Sequence, residues 1–195
     1  MKQVDETNLL NILRLLEERL RIVGTTQLAL VVCGGSALIA TKLVARTTQD
    51  VDIVCLMSPN GDLLDPEPLP HELLEAASVV ARNLSLPEGW LNCGPADLFR
   101  MGLPQGFADR LEAHRIGPCL TVHFIGRLDQ IHFKLYAAVD RGGYHITDLL
   151  ALKPSEAEIE LAARWSMTHD VSEGYAMMLK QLLGEIGYGE VAVRL

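Results

Sequence analysis

Residues 28–56 constrain the fold of this chain more than any other stretch. Leu28 to Cys33 is a short apolar run rich in β-branched residues, which reads as a buried strand. Gly34-Gly35-Ser36 follows without a spacer, and Ala37 to Ala45 then reads as a helix. Val51 to Leu56 is a second buried-type strand, entered through Asp50-Val51-Asp52. Glycines between a strand and a helix let the backbone come close to a ligand. The N–H groups at a helix start lack partners inside the helix and lie at the positive end of its dipole, which suits phosphate. Asp50 and Asp52 stand two apart on a strand, so their side chains share a face. Two carboxylates beside a phosphate cradle can hold a divalent metal. The alternative for the same residues is a plain tight turn, a strand-start cap and a surface acid, although carboxylates opening an apolar strand are costly unless paired or put to use. A Walker phosphate loop is excluded, since no Gly-Lys-Ser/Thr follows the glycines, and the dinucleotide fingerprint lacks its third glycine.

Taken in order, Gly34-Gly35-Ser36, Arg46-Thr47-Thr48 and Asp50-Val51-Asp52-Ile53 resemble the signature of the DNA polymerase β-like nucleotidyltransferase superfamily. They look closest to bacterial nucleotidyltransferase-like proteins related to the AbiE-type toxins of abortive-infection systems. Such proteins have a Gly-Gly-Ser or Gly-Gly-Thr turn, an Arg with a hydroxyl residue, and an Asp-x-Asp strand. The likeness extends to Lys134 and to the stretch from Asp140-Arg141 to Asp148, where these proteins carry a Lys, an Arg and an Asp on helices. The resemblance implies a small mixed β-sheet core with a helix ahead of its first strand. It implies Asp50 and Asp52 as catalytic ligands of Mg2+, with Gly34, Gly35 and Ser36 holding the phosphates of a nucleoside triphosphate. Lys134 is either a cation for the distal phosphates or a surface lysine. The acceptor of the nucleotidyl group would be an RNA, a protein or a small molecule, and a toxin would have an antitoxin partner.

One departure stands out. Superfamily members place a third carboxylate on a strand of the rank of Cys119 to Ile125, and here that stretch has only Thr121 and His123 as polar residues. His123 reads as a metal ligand or as a half-buried strand histidine. The departure supports a second reading, a catalytically degenerate relative that binds a nucleotide or a partner without turnover. A third is a structural partner in which the turn and the acids are incidental.

The rest of the chain sets bounds. Its 195 residues, 49% of them hydrophobic, suit one domain or a small core with a helical appendage. The net charge of −8 excludes a bulk basic field for nucleic acid. Cys33, Cys55, Cys93 and Cys119 form no Cys-x-x-Cys pair, so zinc is not expected, and reduced buried thiols are. No long uncharged apolar run predicts a membrane span, and the acidic opening, with Asp5, Glu6, Glu17 and Glu18, lacks a signal-peptide pattern. The expected location is cytoplasmic.

Periodicity supplies the remaining elements. A first helix capped by Asp5 or Thr7 runs to about Val23, with Leu9, Ile12, Leu13, Leu16, Leu20 and Val23 inward and Glu17, Glu18, Arg19 and Arg21 outward. Ser58 to Pro70 is a proline-rich loop whose acids Asp62, Asp65 and Glu67 either approach a metal or stay solvated. His71 to Leu84 is a helix, Trp90 to Asn92 a short strand, and Pro95 opens another helix. Helices are predicted over Leu128 to Val139, His145 to Leu152, from a capping box at Ser155 and Glu158 to Thr168, and from Tyr175 to Ile186, with Tyr188 to Leu195 a short tail or strand. His145 and Asp148 are spaced to pair across one turn. The expected architecture is α/β: a core over residues 1–126 with an N-terminal helix, and a helical part over 127–195 packed on it.

Overall fold

A computed structural model describes residues 3–195 of the chain, so the first two residues of the expected core lie outside the described residues. The chain divides into two units, Met1–Gly126 and Arg127–Leu195. The fold is mixed α/β, with a small open mixed sheet and flanking helices in the first unit. Among the described residues, no helix is long and apolar enough to cross a membrane.

In the first unit the order is α1 (Leu9–Ile22), β1 (Leu28–Cys33), α2 (Gly34–Ala40), β2 (Val51–Met57), β3 (Leu63–Leu64), α3 (His71–Leu84), β4 (Leu91–Asn92), α4 (Ala96–Met101), β5 (Glu112–Arg115) and β6 (Leu120–Phe124). The strands lie in the order β3-β2-β1-β6-β5, and β4 pairs with β2. β1 is central, antiparallel to β2 and parallel to β6. Its Leu30, Val31 and Val32 are fully buried, as an apolar run in the middle of a sheet requires. Val31 pairs with Cys55 but Val32 with Ile53, so β2 carries an irregularity there that brings Asp52 opposite Cys33.

Several expectations shift. α1 starts after Asn8, with no side-chain cap bond, and Asp5 instead closes the turn ahead of it by accepting from the N–H groups of Thr7 (2.8 Å) and Asn8 (3.0 Å). Glu17, expected on the solvated face, is 6% exposed: its carboxylate accepts from Cys119 N–H at 3.3 Å and packs on Gly117. Val23, expected inward, is 53% exposed, because the helix ends at Ile22. α2 begins at Gly34 and stops at Ala40, earlier at both ends than the predicted span. Thr41 donates its hydroxyl to Ala37 carbonyl at 2.7 Å, and Lys42 takes a left-handed φ of 57° that ends the helix. Asp65 and Glu67 do not stand free in their loop; Arg100 of α4 bonds both, at 2.8 Å and 2.6 Å, together with Asp97. β3 and β5 were not expected.

The second unit is helical: α5 (Arg127–Arg141), α6 (Tyr144–Ala151), α7 (Glu156–His169), α8 (Glu173–Glu185) and α9 (Gly189–Arg194). The capping box of α7 is present, with Ser155 Oγ accepting from Glu158 N–H and Glu158 accepting from Ser155 N–H. Arg127 donates to Glu158 and to the carbonyls of Leu152 and Lys153, which ties the end of α6 to the start of α7. Trp165 is ringed by His132, Phe133, Tyr136 and His169. Tyr188 to Leu195, expected as a short tail or strand, contains α9, held to α7 by Arg194 on Glu156 and Glu160.

Candidate functional site

The candidate site in the first unit is built on the turn from β1 into α2. Gly34 has a φ of 69°, which L side chains rarely adopt, and a β-carbon there would collide with the Asp52 carboxylate. Glycine is required at this position on both counts. The register explains the contact, since Cys33 pairs with Asp52 across the β1–β2 ladder. Gly35 makes room for a second neighbour: a β-carbon there would lie 2.8 Å from Thr48 Oγ1, 2.9 Å from Thr48 Cβ and 3.5 Å from the guanidinium carbon of Arg46. Thr48 Oγ1 donates to Asp50 Oδ1 at 2.8 Å. Arg46, Thr48 and Asp52 therefore border one glycine turn, with Asp50 joined to it through Thr48, although they come from the connection after α2 and from β2.

The residues predicted from sequence divide as follows. Asp52 stands against Gly34, Asp50 is linked to Gly35 through Thr48, and both acids are half-buried. Ser36 is fully buried, and its hydroxyl donates to Cys33 carbonyl at 3.3 Å. That bond holds the turn from within. Lys134, on α5 of the second unit, is not a surface lysine. It is 4% exposed, its Nζ lies 2.7 Å from Asp148 Oδ2 with both side chains buried, and the Tyr144 ring stands 5.5 Å away. Asp148, spaced to pair with His145, sets one carboxylate oxygen against Lys134.

The strand beside Asp52 on its other edge is β4. Asn92 pairs in register with Asp52, parallel, while β6 lies across β1 from β2. Cys119 to Ile125, where the resemblance would put a third acid, thus contains a strand that does not adjoin β2. Asn92 Oδ1 accepts from Gly94 N–H at 2.9 Å. His123 pairs with Val31 of β1 and Ala113 of β5, and burial holds its imidazole below the ordinary histidine range. Its position at the level of Val31 and Cys55 is a strand histidine's, away from the glycine turn.

Among the described residues, no group of three or more His, Cys, Asp or Glu is gathered for a metal. The donor set at the turn is two carboxylates. That set does not suit an all-protein calcium or zinc cage, but it fits magnesium, which binds through one or two carboxylates and completes its shell with substrate phosphates and water. Sequence reasoning quoted Arg46 and Thr48 without giving them a role. Their place against Gly35 is what singles them out, together with Asn92. Comparison of the chain with family models, with curated proteins and with solved structures finds no match.

Proposed function

We propose that the chain is a metal-dependent nucleotidyltransferase that moves a nucleotidyl group from a nucleoside triphosphate to an RNA, protein or small-molecule acceptor. The observation that carries this reading is the gathering of Asp50, Asp52, Arg46 and Thr48 around the Gly34–Gly35 turn. These are the residues on which the resemblance to the polymerase β-like superfamily rests.

Each residue then has a role with a physical basis. Gly34 and Gly35 present backbone without side chains, so a phosphate can approach closely. Arg46, with its guanidinium beside Gly35, offers a fork of donors of the kind that matches phosphate oxygens. Asp50 and Asp52 would hold Mg2+, which would supply electrophilic stabilisation to the phosphoryl group undergoing attack. Ser36 keeps the turn in place through Cys33. A distal-phosphate role for Lys134 follows from the resemblance alone; within the second unit Lys134 pairs with Asp148. An antitoxin partner follows from the resemblance alone.

A second reading has its own observation. Asn92 stands next to Asp52 on β4, an amide where a third carboxylate would complete a two-metal site. This favours a degenerate relative that binds nucleotide or a partner without turnover. Triphosphates labelled at the α-phosphate, incubated with magnesium, cell extract and either wild type or Asp52→Asn, separate the two. Transfer by wild type alone supports the enzyme. Binding of triphosphate with no transfer supports the binding protein, and neither transfer nor binding refutes both.

A further inference from the structure

We infer that Thr48 is a positioning residue for the metal site and that the segment ahead of α1 acts on the site through it. The inference rests on the proposed metal-binding role of Asp50 and Asp52. It starts from how tightly Thr48 is held. The residue is 7% exposed. Its side chain presses on Gly35, where a β-carbon would sit 2.8–2.9 Å from its Oγ1 and Cβ. A β-branched side chain has few χ1 rotamers, and this packing leaves Oγ1 directed at Asp50 Oδ1, 2.8 Å away. That bond fixes which oxygen of Asp50 faces the hydroxyl and so which lone pairs remain for a cation.

The backbone of Thr48 is fixed from a distant part of the chain. Val4 N–H donates to Thr48 carbonyl at 2.7 Å, and Thr48 N–H donates to Val4 carbonyl at 2.9 Å. This two-bond bridge lies outside the named strands, and Val4 is fully buried. Asp5, next in sequence, accepts from the N–H groups of Thr7 and Asn8 while Asn8 Oδ1 accepts from Asp5 N–H at 3.0 Å, so the segment is anchored to the start of α1. The connection runs from α1 through Val4 and Thr48 to Asp50 and Gly35. A strap of this kind lets whatever displaces the segment ahead of α1 change the metal affinity without touching a ligand. Groups that orient a ligating carboxylate typically change metal affinity by about 10–100-fold when removed.

The test is Mn2+ binding, followed by electron paramagnetic resonance of the free ion, in wild type, Thr48→Ser, Thr48→Val and Val4→Pro. Thr48→Ser keeps the hydroxyl, Thr48→Val keeps the shape without it, and Val4→Pro removes one bond of the bridge far from the carboxylates. Thr48→Ser, which keeps the hydroxyl but not the branch that directs it, should bind more tightly than Thr48→Val, itself about 10–100-fold weaker than wild type at an unchanged urea midpoint, and Val4→Pro should be weaker in the same direction. Equal Mn2+ affinity in wild type and Thr48→Val would overturn the role of Thr48. If Thr48→Val does not fold, unchanged affinity in Val4→Pro overturns the inference instead. Absence of Mn2+ binding in folded wild type would remove the metal site itself, and with it the function proposed above, an outcome distinct from equal binding by all variants.

Discussion

The carboxylate of Asp52 occupies the space that a β-carbon on Gly34 would need. The contact joins the start of α2 to the start of β2, and it makes the glycine turn and the acid strand a single local structure. A site reading and a structural reading of these residues therefore make different predictions for substitutions on either side of the contact.

Replacing Gly34 with alanine should be harmful in both readings. The residue must hold a φ of 69°, a conformation that costs of order 1–3 kcal/mol for a residue with a β-carbon, and the Asp52 carboxylate must also move. The urea midpoint should fall by the equivalent of about 1–3 kcal/mol. An unchanged midpoint would show that the turn relaxes freely.

Asp52→Asn should separate the readings. The amide keeps the shape of the carboxylate but loses the charge that magnesium prefers. Metal stabilisation is worth several kcal/mol of barrier, and each 1.36 kcal/mol is tenfold, so transfer should drop by roughly a hundredfold or more. The metal-free variant should melt at the same or a slightly higher temperature, since two like charges beside one turn repel. Equal labelling by variant and wild type would remove Asp52 from the proposed chemistry. An unfolded variant would identify it as a structural acid.

Lys134 and Asp148 form a buried ion pair, with both side chains 5% exposed. Removing one partner leaves an uncompensated buried charge, so Lys134→Met or Asp148→Leu alone should cost about 3–5 kcal/mol. The double replacement should recover much of that loss, because no charge is then stranded. Chemical denaturation of the four proteins gives the coupling directly, and additive losses would count against the pair.

Glu158 supplies a pH test. Its hydrogen bonds from Arg127, with those from Ser155, hold its carboxyl at about 2, below the ordinary 4.5. A folded-state value lowered in this way adds stability that is complete above the unfolded value and fades as the pH falls through the folded one. The difference in urea midpoint between wild type and Glu158→Gln should be widest above pH 4.5 and close as the pH falls toward 2. A difference independent of pH would mean the loss comes from the capping geometry of α7 alone.

Much of this architecture could be read from residue patterns, and the gaps have physical causes. The apolar runs of β1 and β2 and the stripe of α3 identify themselves, because burial selects those side chains at their own period. The Ser155–Glu158 capping box was legible for the same local reason. β5 was not, since Glu112-Ala113-His114-Arg115 has no apolar alternation and is a strand only because β6 pairs with it. α9 escaped notice because its anchor is Arg194 on Glu156 and Glu160, side chains more than thirty residues away. At the site, glycines and acids were legible as residue types, but strand order was not. Without strand order nothing in the residues marks Asn92 as the neighbour of Asp52, and no local pattern signals the burial of Ser36 and Lys134.

The margins of the sheet carry a further consequence. At one margin β3 and β4 offer two residues each, and at the other β5 is four residues long and presents Glu112 and Arg115 to water. Short and charged edges give an incoming strand little to pair with. Strand addition is therefore discouraged at both margins, and the apolar β1 lies inside the sheet, between β2 and β6.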